Sequence, residues 1–327
     1  MRAPVALPVA LPVALPVALL IAVLGAVLGA LALIALTPSD ALAWGPGTHI
    51  LLGEAVLRSA DTLLPAGLAA LLRAFPGDFL YGSIAADTSI AKRYARVGRH
   101  CHAWHVGDEI LGRAREDALR AFGYGYLAHL AADVVAHNHF VPHQLAITST
   151  TSGIGHAYWE SRFESHAGEG WARRARAVIQ LDHARSDDHL DRILSPTLFS
   201  TPTNRRIFRG MVLVNNTDSW QRVMTLMSER SRWTLRDAAV TAHLDLAFDY
   251  VVDLLARGMG AQPRQFDPSG EAALREAKRL RKVALARGGE RAARKEAAER
   301  FALPSERPSW ATQLPAPLYA PTRAARS

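Results

Sequence analysis

The chain has one cysteine, Cys101, in 327 residues, so no disulfide partner exists within it and no disulfide framework can hold the fold. Aromatic residues make up only 7%. β-Branched residues rarely cluster, and no alternating apolar run or hairpin turn stands out, which argues against a sheet-based fold. Long hydrophobic runs are scarce too. The longest, "ALLIAVLGAVLGALALIAL" at 18–36, belongs to a low-complexity leader in which Arg2 is the only charge before Asp40.

Residues 1–43 read as an export signal or N-terminal anchor. Ala41-Leu42-Ala43 offers the small-x-small pattern of a signal-peptidase site, and the apolar run is long enough to cross a bilayer if it is kept. The expectation is a secreted or periplasmic/cell-envelope protein, membrane-anchored if the leader is not cleaved. Arg2 and Asp40 cancel, so residues 44–327 carry the whole formal charge of +8. Such a balance suits anionic partners: phosphates, lipid headgroups or nucleic acid.

Ala, Leu, Arg and Glu dominate the chain beyond the leader, and helical spacing predicts an all-α protein. Helices are expected over 48–60 with Thr48 as N-cap, over 65–75, and as a pair within 107–140 that breaks near Gly123 and Gly125. Further helices are expected over 153–167, 172–182, 203–230 and 233–259. These define a helical domain over 44–260. "AQPRQFDPSG" at 261–270 reads as a linker, and 261–327 as a basic helical and Pro-rich tail suited to an anionic membrane surface or to plain solvent.

What the chain does have is histidine in one place. "AHLAADVVAHNHFVPHQ" at 128–144 contains His129, Asp133, His137, His139 and His143. Steps of four residues put His129, Asp133 and His137 on one helix face, among small and apolar neighbours that point inward. A buried row of imidazole and carboxylate needs partners, because each unpaired polar group costs roughly 2–7 kcal/mol. Four other places offer metal-ligand residue types: Trp44 and His49, Asp87, "RHCHAWH" with His100, His102 and His105, and the i, i+4 pair His156/Glu160. Imidazole and carboxylate together select zinc over calcium or magnesium. So many candidates imply a cluster of ions rather than one. Lys92, Arg93, Arg96 and Arg99 read as a solvated basic loop near it, and Cys101, His143, His166, His183, His189 and His243 read as structural.

The order Trp44, His49, Asp87, His102, His129-x-x-x-Asp133, His137/His139, His156-x-x-x-Glu160 resembles the zinc-dependent phospholipase C family. It is also similar to the related fungal single-strand zinc nucleases. The resemblance covers roughly 44–165. It implies a multi-helix bundle with a cluster of two to three Zn2+ ions between helices. Asp87, His102, His129 and Asp133 would hold one ion; His156, Glu160 and a histidine beyond Asp133 a second; Trp44 and His49, with Asp133 shared, a third. Spacing along a continuous helix favours His137 for the second ion, while the family's six-residue interval points to His139. Trp44 would ligate through an amino group freed by cleavage after Ala43. The activity implied is zinc-assisted hydrolysis of a phosphodiester, with Asp87 also a general base. The substrate would be a phospholipid, with nucleic acid or another phosphodiester as the alternative. A non-catalytic zinc-binding envelope protein is the reading from a different class. The HD phosphohydrolases need an adjacent His-Asp pair, which this chain lacks.

Overall fold

A computed structural model describes residues 44–90, 92–96, 99–148, 152–215, 222, 226, 230, 231 and 233–319. The leader over 1–43, and with it the expectation of export or anchoring, lies outside the described residues. Among those described, the chain forms helices and short helical turns and no strand. They are α1 (Pro46–Leu63), α2 (Ala66–Ala74), α3 (Pro76–Ala85), α4 (Trp104–Gly112), α5 (Asp117–Val135), α6 (Val141–Thr148), α7 (Ser152–Ala167), α8 (Glu169–Ile179), α9 (Ala184–Asp191), α10 (Thr201–Asn215), α11 (Asp237–Arg257) and α12 (Glu271–Arg300). No helix among the described residues is long and apolar enough to cross a membrane.

α5 is the axis of the bundle. It is buried along nearly its whole length, with apolar side chains spread around it rather than along one stripe, as a helix surrounded by others requires. α3, α4 and α11 pack around it. The break expected near Gly123 and Gly125 is not there. The chain turns earlier, between Gly112 and Asp117, and the glycine signal has another cause. A Cβ on Gly82 would stand 2.1 Å from the Phe122 carbonyl oxygen, and one on Gly125 2.1 Å from that of Phe79. These glycines therefore let α3 and α5 touch backbone to backbone, closer than any side chain would allow.

The start of α1 also differs from expectation. Pro46 occupies the first turn and Gly45 the cap, so Thr48 lies inside the helix. Its free amides are satisfied from a distance: Gly47 N–H and Thr48 N–H donate to Glu164 Oε1 and Oε2 at 2.7 and 3.0 Å, and Thr48 Oγ1 donates at 2.7 Å. Glu164 is on α7, so this cap fixes α7 against α1.

The stretch read as a linker is packed instead. Arg264 makes a bidentate pair with Asp108 at 2.8 and 2.7 Å, and its guanidinium lies 4.6 Å from the Trp104 ring. Trp104 Nε1–H donates to Phe266 O at 2.8 Å. Beyond it α12, kinked at Gly289, lays its apolar face on α6 and keeps Arg–Glu pairs outside. The residues 301–319 also fold back: Ala311 N–H donates to Asp249 Oδ1 at 2.7 Å, and Tyr319 OH to Asp237 Oδ1 at 2.8 Å. A tail with this many polar and aromatic anchors is part of the bundle. The helix expected over 203–230 is described over Thr201–Asn215, most of 216–229 lies outside the described residues, and α11 begins at Asp237 rather than 233.

Candidate metal centre

Five segments converge at the middle of the bundle. α1 supplies His49, the turn after α3 supplies Asp87, the segment before α4 supplies His102, α5 supplies His129 and Asp133, and α7 supplies His156 and Glu160. All are buried. Four groups have ligand atoms within 4.8 Å of one another: His49/His129/Asp133, Asp87/His102/His129, His137/His156/Glu160 and, around the outer edge of the His102 ring, His100/Cys101/His102. Asp133 joins two of them. Its Oδ1 is 3.3 Å from His49 Nε2, and its Oδ2 is 2.8 Å from His102 Nε2 and 3.0 Å from His129 Nε2.

Protons decide what this arrangement needs. His129 Nδ1 lies 2.9 Å from the Ser83 carbonyl oxygen, which only accepts, so Nδ1 carries the hydrogen. In the neutral ring Nε2 is then a lone pair. That lone pair faces His102 Nε2 at 3.1 Å and Asp133 Oδ2 at 3.0 Å. Asp87 Oδ1 is also near, 3.4 Å from His102 Nε2. One proton on His102 cannot serve three acceptors. Asp87 Oδ2 is buried without a hydrogen-bond partner among the described residues. A row of nitrogen and carboxylate lone pairs aimed at one another is a cation site by chemistry, and the donor set fits zinc.

The electrostatics agree. Burial raises the Glu160 carboxyl well above its usual range, and the carboxylates of Asp87 and Asp133 add to this. A bound cation would reverse that. Burial also works to raise Asp133, but the imidazoles of His129, His102 and His49 around it hold it well below. Burial, with the His129 ring stacked beside it, lowers His49, and burial lowers His137, so both favour the neutral form that can ligate.

The structure separates the two competing histidines. The end of α5 widens into a π-turn over Ala136–Phe140, of the kind that often marks functional positions. His137 comes round to His156, with ring centroids 5.5 Å apart. His139 does not join the group: its Nδ1 pairs with Ala302 O at 2.9 Å and its ring meets Phe266 at 6.0 Å. Trp44 is fully buried beside His49, ring centroids 6.5 Å apart, and stacks on Phe163 at 4.9 Å. Cys101 Sγ lies 3.3 Å from His102 Nδ1, on the ring edge opposite the cluster. His183, His189 and His243 each pair with a backbone carbonyl, and His166 with Tyr319 and Asp237, as their structural reading requires.

Two contributors are not visible in the sequence pattern. Lys92, grouped there with a solvated loop, is buried with Nζ 2.9 Å from Asp87 Oδ1 and 3.2 Å from His102 Nε2. Burial opposes its charge, but Asp87 holds the ammonium above its usual range. Its spacing of five from Asp87 is the one signal that could have flagged it. Pro268 offers its carbonyl oxygen to His137 Nδ1 at 2.7 Å. A backbone carbonyl leaves no trace in residue type.

Residues 48–197 match the family model of zinc-dependent phospholipase C. The match spans every residue of the ligand groups together with Lys92, while Trp44 and the Pro268 carbonyl lie outside it. No curated protein and no solved structure gives a significant match.

Proposed function

We propose that this chain, a zinc-dependent hydrolase by virtue of the zinc-dependent phospholipase C family domain at residues 48–197, cleaves phospholipids on the glycerol side of the phosphate, outside the cytoplasm. The observation that carries the reading is the contact of His129 Nε2 with His102 Nε2 and Asp133 Oδ2, acceptors that need a shared cation. A zinc ion held by these residues would supply a bound water of lowered pKa and offset the charge of the phosphodiester.

The chain's own residues do the rest. His129 is fixed in one tautomer by Ser83 O and His137 by Pro268 O, so both present Nε2 inward. Asp133 bridges, with Oδ1 toward His49 and Oδ2 toward His102 and His129. Asp87 keeps one oxygen on Lys92 and leaves Oδ2 free of hydrogen bonds among the described residues, the posture of a base that accepts the proton of an attacking water. Trp44 enters the reading through the leader. Cleavage after Ala43 would free its amine beside His49, adding a third ligand set. The charged outer face of α12 suits an anionic lipid surface.

The test is to count zinc in the purified protein and assay phosphatidylcholine vesicles against single-stranded DNA. Two to three zincs with release of phosphocholine and diacylglycerol supports the proposal. Nucleotide release without lipid turnover moves the substrate to nucleic acid, and zinc without either product favours a non-catalytic zinc protein. Protein starting at Trp44, compared with protein keeping Leu42-Ala43, tests the leader. Equal zinc content and turnover in both would remove the N-terminal amine from the site.

A further inference from the structure

The family match ends at residue 197, yet one wall of the centre comes from a segment about seventy residues later. His137 sits in the π-turn, where hydrogen bonds span five residues rather than the four of an α-helix. A ligand on such a turn needs outside support to keep one orientation. The segment 266–270 provides it. Pro268 O takes the His137 Nδ1 hydrogen at 2.7 Å, and Asp267 O accepts from Asn138 Nδ2 at 2.8 Å, which also donates to Val134 O at 3.0 Å.

The fit is close enough to restrict residue type. Gly270 has φ +59°, and a Cβ there would stand 2.4 Å from both Cβ and O of His137. No side chain is admitted at this point. The turn is locked within itself: Asp267 Oδ1 accepts from Ser269 N–H at 3.0 Å and Oδ2 from Ser269 Oγ at 2.6 Å. It is locked to the bundle by Trp104 Nε1–H on Phe266 O and by Arg264 on Asp108.

We infer that residues 266–270 are a positioning strap for the metal centre, in which the Pro268 carbonyl fixes the tautomer and aim of His137 so that its Nε2 faces His156 and Glu160. The inference rests on the zinc reading of that site. A ligand histidine whose second nitrogen loses its partner typically loses about 10–100-fold in metal affinity. The strap therefore sets the affinity of one ion, at His137/His156/Glu160, and leaves His49/His129/Asp133 alone.

Two variants of the full chain separate this from general damage. Gly270→Ala forces a side chain into the contact, and Asp267→Ala loosens the turn without adding bulk. Zinc is counted and its release to a chromophoric chelator followed, and the His137 tautomer is read by 15N NMR. The wild type should hold His137 with hydrogen on Nδ1. Each variant should release one zinc about 10–100-fold more readily, with the rest unchanged and helix content kept. Normal zinc release and an unchanged tautomer in Asp267→Ala would overturn the inference, whether or not Gly270→Ala folds. Less than one equivalent of zinc in the wild type would instead overturn the zinc reading itself. A uniform loss of all zinc in both variants would show the segment to be structural, and would also reject the strap.

Discussion

Two buried polar clusters flank α3, and they are built in opposite ways. On one side Tyr81 OH donates to Asp187 Oδ1 at 2.5 Å, Arg209 and Arg205 donate to Asp187 Oδ2 at 2.8 and 3.1 Å, and Arg205 forms a bidentate pair with Asp191 at 2.9 Å. Each carboxylate there has its donors, and burial together with Asp187 keeps Tyr81 protonated. On the other side, the carboxylates of Asp87, Asp133 and Glu160 share space with imidazoles, and Lys92 is the one lysine or arginine ammonium or guanidinium among the described residues that pairs with them. The carboxylates of the first cluster are satisfied by protein donors alone. The second is complete only with cations. Both gather carboxylates and nitrogen groups, so the difference lies in whether donors and acceptors balance.

Breaking the second cluster should have the largest effect. Asp133→Asn weakens two ligand groups at once, so hydrolysis should fall by roughly 100-fold or more while helix content is kept. Chelation of the wild type should lower both activity and thermal stability, because lone pairs are left facing each other. Circular dichroism, zinc analysis and a phosphatidylcholine assay check both, and an undiminished rate in Asp133→Asn would remove that residue from the centre.

Asp187→Ala supplies the contrast. It takes the carboxylate from Tyr81 and Arg209, while Arg205 keeps its pair with Asp191. The cluster is partly open to solvent, so the cost should be about 2–3 kcal/mol, short of the ~3–5 for a fully buried pair. Urea unfolding should show that loss while zinc content stays at the wild-type value. Zinc loss in this variant would mean that the two clusters are coupled through α3.

Lys92→Met tests the boundary between the two designs. The ammonium holds an Asp87 oxygen that a metal would also use. Removing it should tighten one zinc by about tenfold, a modest share of the ~4 kcal/mol that neighbouring charges exert near a protein surface. Competition with a chelator reads this. Weaker zinc binding would show that Lys92 orients Asp87 rather than competing for it.

These contrasts explain what could be read from the sequence. The i, i+4 rows His129/Asp133 and His156/Glu160 were legible because helical geometry alone puts them on one face. His137 was legible on the same argument, but excluding His139 required the π-turn and the Ala302 contact. Gly123 and Gly125 misled as a break because glycine marks both chain reversal and close helix packing, and only the partner helix distinguishes them. The segment 261–270 looked like a linker because its contributions are carbonyls and a glycine turn, which composition does not weigh. Lys92 looked solvated because its partners are distant from it in character rather than in sequence: one acid at five residues and one histidine at ten.

The smallest effect concerns a carboxylate that belongs to neither cluster. Asp249 on α11 is buried, and its Oδ1 accepts the Ala311 backbone N–H. Burial pushes its pKa up to about 6, against the Ala311 hydrogen bond and the nearby Arg307, with Asp245 adding to the rise. The unfolded chain ionises this group near 3.8. Between those two values the folded protein binds more protons than the unfolded, so stability falls as pH rises through the window. Asp249→Asn keeps an oxygen for Ala311 N–H and removes the titration. At pH 4 the variant and wild type should be nearly equal. By pH 7 the variant should be the more stable by about 1 kcal/mol, well under the ~3 that two unscreened pKa units would give. Urea unfolding across pH 4–7 measures the difference directly, and zinc content should be identical throughout. A difference independent of pH would assign the effect to packing of 301–319 on α11, and a difference of opposite sign would mean that the ionised carboxylate is held by the bond to Ala311 more strongly than burial opposes it.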